Sequence, residues 1–308
     1  MRPIIVPAAV ILFFCACQST SRPPVADSLT AASQEKIDTF WQNIATIATE
    51  AGGTVGVAIR NLHTGDTLTL NDTARLPMQS AYKFPIAMAV LKQVDEGKLR
   101  LDQTIPVTTA DLFKTYSPLQ DSFPKGTNTQ TVADLIRLMV AQSDNIACDV
   151  LLKTIGGTKV ANDFIHSLGV QNISIAATEE EMHSGWDVQF TNWCNVSAYT
   201  QLLDILQKGT ALSKSSNDFL MQTMLGTTTG PKRLPGLLPP GTPVAHKTGT
   251  SGSKDGMYSA TNDAGIITLP NGQPLAVVVF VTRSTASEAV REGVIAKIAK
   301  AAYDYYGK

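Results

Sequence analysis

The sequence predicts an α/β fold: an antiparallel sheet built from both chain ends and flanked by helices, with an all-helical lobe inserted between those ends. Residues 53–62 (GTVGVAIRNL) and 67–71 (TLTLN) have strand composition, and the turn HTGD joins them into a predicted hairpin. Strand composition returns near the other end, in PVAHKTGTSG, AGIITL and PLAVVVFVT. Because the chain must cross between the two lobes twice, we predict a site in the cleft between them.

Helical patterns fill the middle of the chain. Apolar residues recur at helical spacing over 83–98, where Gly97 provides a stop signal. Thr131 to Asp134 resembles a capping box that opens the next helix, and 158–169 predicts another helix ending at Gly169. At the far end, the NGQ turn at 271–273 predicts a second hairpin and 288–306 a terminal helix.

These patterns predict three segments. Residues 1–17 have the features of a signal peptide, residues 18–30 form a polar tether, and residues 31–308 form one catalytic domain. Within that domain, we expect an α/β lobe from about 31–75 and 231–308, and a helical lobe from about 76–230.

The N-terminal segment predicts export to the periplasm. Its apolar run from Ile4 to Phe14 is too short to span a bilayer and lies where a signal peptide belongs. The following FCAC resembles a bacterial lipobox, which implies a lipid anchor on Cys17. Cys148 and Cys194 remain in the mature chain, and the sequence does not decide whether they form a disulfide.

Composition excludes several classes of partner. The 308 residues are 44% apolar and 17% charged with a net charge of −1, which is typical of a soluble globular protein and argues against a nucleic-acid partner. The four histidines (His63, His166, His183 and His246) show no ligand spacing, so we expect no metal and no cofactor.

Three short motifs carry the chemistry. Ser80 and Lys83 are three residues apart at the start of the predicted helix 83–98, so the hydroxyl and the amine share a face. Alone this spacing is weak, because Ser-x-x-Lys also occurs at Ser33, Ser122 and Ser251. Ser143-Asp144-Asn145 lies between two predicted helices, and Lys247-Thr248-Gly249 lies in a late strand.

In this order, the three motifs resemble those of the class A serine β-lactamases. Tyr116, followed by Ser117 and Pro118, looks like the aromatic gate of that family. The resemblance runs from about residue 30 to the C-terminus. It implies a monomeric hydrolase that acts on β-lactam antibiotics and also binds β-lactam-type inhibitors.

The resemblance also implies residue roles. Ser80 would attack the β-lactam carbonyl, Lys83 would relay its proton, and Ser143 would protonate the leaving nitrogen. The backbone N–H groups of Ser80 and Thr250 would form the oxyanion hole. The substrate would be bound by Asn145, Lys247, Thr248, Gly249, Thr250 and Ser251, with Arg233 supporting its carboxylate.

The family's deacylating glutamate must lie in the segment 177–195, which fills the place of its omega loop. Here ATEEEMH offers three glutamates. In one extended-spectrum branch a histidine follows the base by four residues, and His183 selects Glu179 in this way. Glu180 is the next candidate. Ala177 stands where most members carry an arginine that ties the loop down by a salt bridge.

These departures fit a pocket wide enough for bulky oxyimino-cephalosporins. Gln79 and Ser251 stand where carbapenem-hydrolysing members carry a cysteine pair, so we expect weak carbapenem activity. Two other functions stay open at this stage: a penicillin-binding D,D-peptidase or non-hydrolytic β-lactam sensor, and an anchored structural lipoprotein. A deacylating base distinguishes a hydrolase from the D,D-peptidase or sensor, which lacks that base.

Overall fold

The computed structural model describes residues 31–126 and 128–308, with side chains described from residue 34 onward. The predicted signal peptide, the tether and Cys17 lie outside these ranges. The fold class is confirmed: an antiparallel sheet with helices on both faces lies beside a helical lobe.

The main sheet has five antiparallel strands in the order β2-β1-β12-β11-β8, so both ends of the chain contribute to it. Its strands are β1 (Thr54–Asn61), β2 (Thr67–Leu70), β8 (Val244–Thr250), β11 (Thr261–Thr268) and β12 (Pro274–Thr282). The short strands are β3 (Leu76–Pro77), β4 (Thr104–Val107), β5 (Asn128–Thr131), β6 (Ile173–Ser174), β7 (Trp193–Cys194), β9 (Ser253–Lys254) and β10 (Met257–Tyr258).

The helices follow the predicted order. They are α1 (Ala31–Thr49), α2 (Lys83–Asp95), α3 (Pro118–Ser122), α4 (Val132–Ala141), α5 (Asn145–Ile155), α6 (Thr158–Ser167), α7 (Glu179–His183), α8 (Val196–Lys208), α9 (Lys214–Leu225) and α10 (Glu288–Tyr306). Helix α2 ends two residues before Gly97, which adopts a φ of +70°. None of the described helices is long and apolar enough to cross a membrane.

Strand β12 is buried on both faces, which explains its continuous apolar sequence. Val277, Val279 and Val281 join a core with α1 and α10, whereas Val278 and Phe280 join a larger core with the helical lobe. The alternation follows the two-residue period of a strand. The sheet therefore acts as a rigid wall between two cores, and its edge strand β8 faces the cleft.

Candidate active site

Ser80 lies on a 3₁₀ turn, Gln79–Tyr82, that leads directly into α2. The Lys83 N–H donates to the Ser80 carbonyl, so residues three apart stack on one face of this turn. Gln79, just before Ser80, adopts a φ of +47°, a conformation that non-glycine residues seldom take. The sequence predicted Ser80 at or near the first turn of the helix, and it lies on the short turn that leads into α2.

The Lys83 ammonium is fully buried at the centre of the cleft. It donates to the Ser143 carbonyl oxygen at 2.7 Å and to the Oδ1 of Asn145. Glu179 Oε1 lies 3.0 Å from the same nitrogen as an ion-pair partner, although the angle is not that of a hydrogen bond. Because a buried charge must be paired, this one lysine connects α2, the Ser143 turn and the loop that carries Glu179.

Ser143 faces a second buried lysine. Its backbone has a φ of +62°, and its Oγ accepts from Lys247 Nζ at 3.0 Å. Lys247 also donates to the Thr248 carbonyl at 2.9 Å. Burial lowers the pKa of Lys247 well below its usual value, and the charge of Lys83 lowers it further. The Ser143 hydroxyl is therefore bound by an amine that releases its proton more readily than an exposed lysine.

Strand β8 approaches the Ser80 turn backbone to backbone at Gly249. A Cβ on Gly249 would lie 2.3 Å from the Met78 carbonyl oxygen, so only glycine fits there. From β11, Asn262 donates to the Pro77 and Met78 carbonyl oxygens at 2.8 and 3.1 Å. Strand β8 thus lies against the turn that carries Ser80.

The far end of β8 is supported by Arg233, which is 4% exposed. Its guanidinium pairs with Glu292 at 3.1 Å and donates to Thr250 Oγ1 at 2.8 Å and to the Gly249 carbonyl at 3.2 Å. Thr248 Oγ1 lies 2.6 Å from Thr229 Oγ1. Hydroxyls and buried cations therefore collect at this end, which favours an anionic group.

Ser251 follows β8 and is tied to the start of β11. Its Oγ accepts from the Ala260 N–H at 2.8 Å, and its own N–H donates to the Ala260 carbonyl at 3.0 Å. These bonds fix the rim of the cleft next to Thr250.

The opposite wall carries Tyr116 and Asn145. Tyr116 is 58% exposed, and its carbonyl accepts from the Asn145 N–H at 3.2 Å. Asn145 Nδ2 donates to Thr115 Oγ1 at 2.6 Å, so its amide is oriented between Thr115 and Lys83. Sequence reasoning missed Thr115.

The three glutamates of ATEEEMH have different environments. Glu179 is 4% exposed and points at Lys83, whereas Glu180 is exposed. Glu181 closes a capping box with Thr178 at the start of α7. The geometry therefore brings only the first glutamate to the cleft.

Asp149, one turn after Asn145 on α5, holds the start of α7. Its two carboxylate oxygens accept from the Glu179 N–H at 2.8 Å and the Glu180 N–H at 2.9 Å. Burial raises the pKa of Asp149 to about 7, against the effect of these two bonds. Sequence reasoning missed Asp149, although the i, i+4 spacing from Asn145 places both on one helix face.

His183 contacts the backbone of Glu179 and not its carboxylate. Nδ1 lies 2.7 Å from the Glu179 carbonyl oxygen, so it carries the proton and donates. Nε2 is 3.4 Å from Thr115 Oγ1, and the ring packs edge-on against Phe113. The imidazole therefore links the loop to the wall that carries Tyr116.

Asn192 closes the neck of the loop, where Ala177 replaces the expected arginine. Its Oδ1 accepts from the Ala176 and Ala177 N–H groups at 2.7 and 2.9 Å, and its Nδ2 donates to the Ala177 carbonyl at 2.8 Å. The Asn192 carbonyl accepts from the Met78 N–H at 2.9 Å. The fully buried Asn192 amide thus closes the neck at the position where Ala177 cannot form the salt bridge of most family members.

The His and Cys side chains of the described residues form neither a metal site nor a disulfide. In residues 31–126 and 128–308, no group of three His, Cys, Asp or Glu side chains could hold a metal ion. His246 pairs with buried Asp263 at 2.9 Å. Within the same ranges Cys148 and Cys194 are buried and free, so they do not form a disulfide with each other.

Comparisons with known proteins agree with this arrangement. The sequence model described as "Beta-lactamase enzyme family" matches residues 39–306. The chain is 44% identical over 277 residues to Beta-lactamase VEB-1 of Pseudomonas aeruginosa, covering 89% of this chain and 92% of that protein. It is 42% identical over 265 residues to Extended-spectrum beta-lactamase PER-1 of the same species, covering 86% of each.

Solved structures show the same similarity. A β-lactamase from Chitinophaga pinensis is 50% identical with a TM-score of 0.85, covering 86% of this chain and 98% of that one. TLA-1 extended-spectrum β-lactamase is 45% identical with a TM-score of 0.86, covering 88% of this chain and 99% of that one.

Proposed function

This chain belongs to the class A β-lactamase family, and we propose that it hydrolyses the β-lactam ring of penicillins and cephalosporins through an acyl-enzyme on Ser80, thereby conferring resistance. One observation carries the proposal. The buried Lys83 ammonium, three residues after Ser80, contacts the Ser143 carbonyl, the Asn145 amide and the Glu179 carboxylate together.

Acylation begins when Ser80 Oγ attacks the lactam carbonyl. Its proton passes to Glu179, or to Lys83 once Lys83 has given a proton to Glu179, because the Lys83 nitrogen and a Glu179 oxygen are 3.0 Å apart. The N–H groups of Ser80 and Thr250 bind the developing oxyanion, an interaction typically worth about 3 kcal/mol. The C–N bond of the ring then breaks, and Ser143 donates its proton to the nitrogen.

Lys247 suits the recovery of that proton. Its amine donates to Ser143 Oγ, and its lowered pKa makes it an effective proton source for the Ser143 alkoxide. Thr248, Thr250 and Arg233 supply the hydroxyls and positive charge that bind the substrate carboxylate at the end of β8.

Deacylation requires a base beside the ester, and Glu179 fills this role. It is buried, it faces Lys83, and Asp149 anchors its backbone. Glu179 takes a proton from water as the water oxygen attacks the ester carbonyl, and Ser80 leaves with a proton from the same network. His183 supports this turn through the Glu179 carbonyl.

We also propose an extended spectrum that includes oxyimino-cephalosporins. The relatives PER-1 and TLA-1 carry that description in their names. Position 177 carries alanine, so no arginine side chain narrows the cleft there. The neck of the loop is closed by the Asn192 amide instead of a salt bridge. The test is turnover of a ceftazidime-type substrate beside benzylpenicillin, and background-level ceftazidime turnover would refute this part. Carbapenems are expected to be poor substrates.

Localisation is a further proposal from the N-terminal sequence. We propose export to the periplasm, a lipid anchor on Cys17 and a monomeric state. The mass of the mature N-terminus tests the export signal and the anchor, and light scattering of the tether-free domain tests the monomeric state. A diacylated Cys17 supports the anchor, and an unmodified residue refutes it.

The central test mixes the purified mature chain with a chromogenic cephalosporin. Sustained colour supports the hydrolase, whereas one stoichiometric burst indicates a penicillin-binding sensor or peptidase. Glu179→Gln is expected to convert sustained turnover into a burst with a stable adduct at Ser80, and Ser80→Ala to form no adduct. Full turnover in Glu179→Gln would overturn the assignment of the base.

A further inference from the structure

We propose that Gln189, in the loop between α7 and β7, is a positioning residue that holds the Ser80 turn in its reactive conformation. This inference rests on the proposed function and adds to it a residue outside the three motifs. It concerns the rate at which Ser80 is acylated.

The Gln189 amide is locked by three hydrogen bonds. Its side chain is 7% exposed, and Oε1 accepts both from Gln79 Nε2 at 2.7 Å and from the Ser259 hydroxyl. Nε2 donates to the Trp186 carbonyl oxygen at 2.6 Å. Both lone pairs of the oxygen are therefore used, and the donor to Trp186 fixes which way the amide points.

This single amide joins three segments that border the cleft. Gln79 belongs to the turn that carries Ser80, and Gln189 belongs to the loop that carries Glu179. Ser259 lies just before β11, beside Ala260, which makes three hydrogen bonds with Ser251 just after β8. No other described side chain outside the motifs contacts Gln79 in a side-chain hydrogen bond.

The bond to Gln79 acts next to the nucleophile. Gln79 has a φ of +47°, which an L residue with a side chain seldom adopts without support. The peptide that follows it carries the Ser80 N–H, one of the two proposed oxyanion donors. An oxyanion donor acts only when it points at the reacting oxygen. The conformation of Gln79 sets the direction of the Ser80 N–H, and the hydrogen bond to Gln189 holds Gln79 in that conformation.

Glu179 is held by different contacts. Asp149 binds its backbone N–H, and Asn192 closes the neck of the loop. Neither side chain is hydrogen-bonded to Gln189, whose described partners are Gln79, Ser259 and Trp186. Loss of the Gln189 amide should therefore disturb the Ser80 turn while the anchors of the base remain.

The test compares Gln189→Met, which keeps length and loses the amide, with Gln79→Met and with the double variant. Quenched-flow mass spectrometry of the Ser80 adduct with a chromogenic cephalosporin gives the acylation rate constant and the dissociation constant of the preceding complex. We expect acylation to slow about tenfold in Gln189→Met, while the dissociation constant changes less than about twofold. A loss of folded protein alone would lower the adduct amplitude and leave the rate constant unchanged.

Two further variants make the result specific. Gln189→Glu keeps an acceptor for Gln79 and Ser259, so it should lose less than Gln189→Met. Thr191→Val removes an exposed hydrogen bond to the Val188 carbonyl in the same loop and should leave the acylation rate unchanged. If Gln79 and Gln189 act through their mutual bond, the double variant is no slower than the slower single variant.

An acylation rate within twofold of wild type in Gln189→Met, or additive effects in the double variant, overturns the inference. If the wild-type chain forms no adduct, the proposed function fails. Hydrogen exchange then tests separately whether Gln189 holds the Ser80 turn. Unchanged exchange over residues 79–82 and 184–191 in Gln189→Met would show that Gln189 does not hold the turn.

Discussion

Two walls of the cleft are held in different ways. The wall formed by β8 and the Ser80 turn is fixed mainly by close packing of the main chain: β8 approaches the Met78 carbonyl at Gly249, and the Asn262 side chain binds the Pro77 and Met78 carbonyls. The wall formed by residues 178–192 is fixed by three side chains, Asp149, Gln189 and Asn192. The first wall tolerates almost no change of shape, and the second depends on a few amide and carboxylate groups.

The difference separates chemistry from specificity. The rigid wall carries the nucleophile and the buried cations, which must stay within tenths of an ångström of their working geometry. The loop carries the base together with exposed Glu180 and His183, and it borders the space that a substrate side chain would occupy. The effects of substitutions on the two walls should therefore differ in size and in whether they change activity or stability.

The largest effect is expected on the rigid wall, from Gly249→Ala. The new methyl would lie 2.3 Å from the Met78 carbonyl oxygen and 3.1 Å from the Ala81 nitrogen, so strand and turn must separate. We expect kcat/KM to fall at least about a hundredfold, with about 1 to 3 kcal/mol of lost stability. Gly252→Ala, where no atom lies within 4 Å, is the matched control. Equal activity in both variants would contradict the rigid wall.

The next effect concerns the neck of the loop, through Asn192→Leu. The change keeps the branched shape of the side chain but leaves the Ala176 N–H, the Ala177 N–H and the Ala177 carbonyl without their partner. Because each buried unsatisfied group costs about 1 to 3 kcal/mol, urea unfolding should show a loss of about 4 kcal/mol. Ser184→Ala, which removes one exposed bond in the same loop, should lose less than about 1 kcal/mol. Similar losses would show that the neck does not hold the loop.

A smaller effect depends on pH and on Asp149→Asn. The folded-state pKa of Asp149 is about 7, above the ordinary aspartate value of about 4, so the folded protein binds this proton more tightly. The stability from that proton is present below pH 4 and is lost as the pH rises through 7. Wild type should therefore lose up to about 3 kcal/mol relative to Asp149→Asn between pH 4 and pH 8.

Urea unfolding at several pH values measures this difference, with Asp121→Asn, at an exposed position of α3, as the control. A parallel pH dependence in wild type and Asp149→Asn would mean that Asp149 does not titrate in this range.

The smallest effect is expected from Glu180→Gln. This carboxylate is exposed, and only its backbone N–H is used, by Asp149. Turnover should stay within about twofold of wild type, since exposed charges contribute little. A burst like that expected for Glu179→Gln would instead move the base to Glu180.

The motifs of the rigid wall could be read from the sequence because they combine particular residue types at fixed spacing. The i, i+3 geometry of Ser80 and Lys83 and the glycine at position 249 follow from local backbone rules. The strands of the sheet were also visible, because doubly buried β12 is apolar throughout. The orientation of the two walls depends on long-range packing, which local patterns do not record.

The loop was much less predictable. Ala177 indicated that a salt bridge was missing, but nothing in the local pattern pointed to Asn192, fifteen positions later, as the replacement. Gln189 and Thr115 are common polar residues whose function depends on the partners that folding brings to them. Asp149 alone had a readable signal, its position one helical turn after Asn145.

Strand β8 ends the order of the main sheet, and an open strand edge is a hazard for a soluble protein. Here the Ser80 turn lies against that edge, so the reactive cleft also works as a cover against self-association. Any change that opens the cleft for larger drugs would uncover the same edge. Association through that edge would then limit how far the cleft of such an enzyme can widen there, before chemistry does.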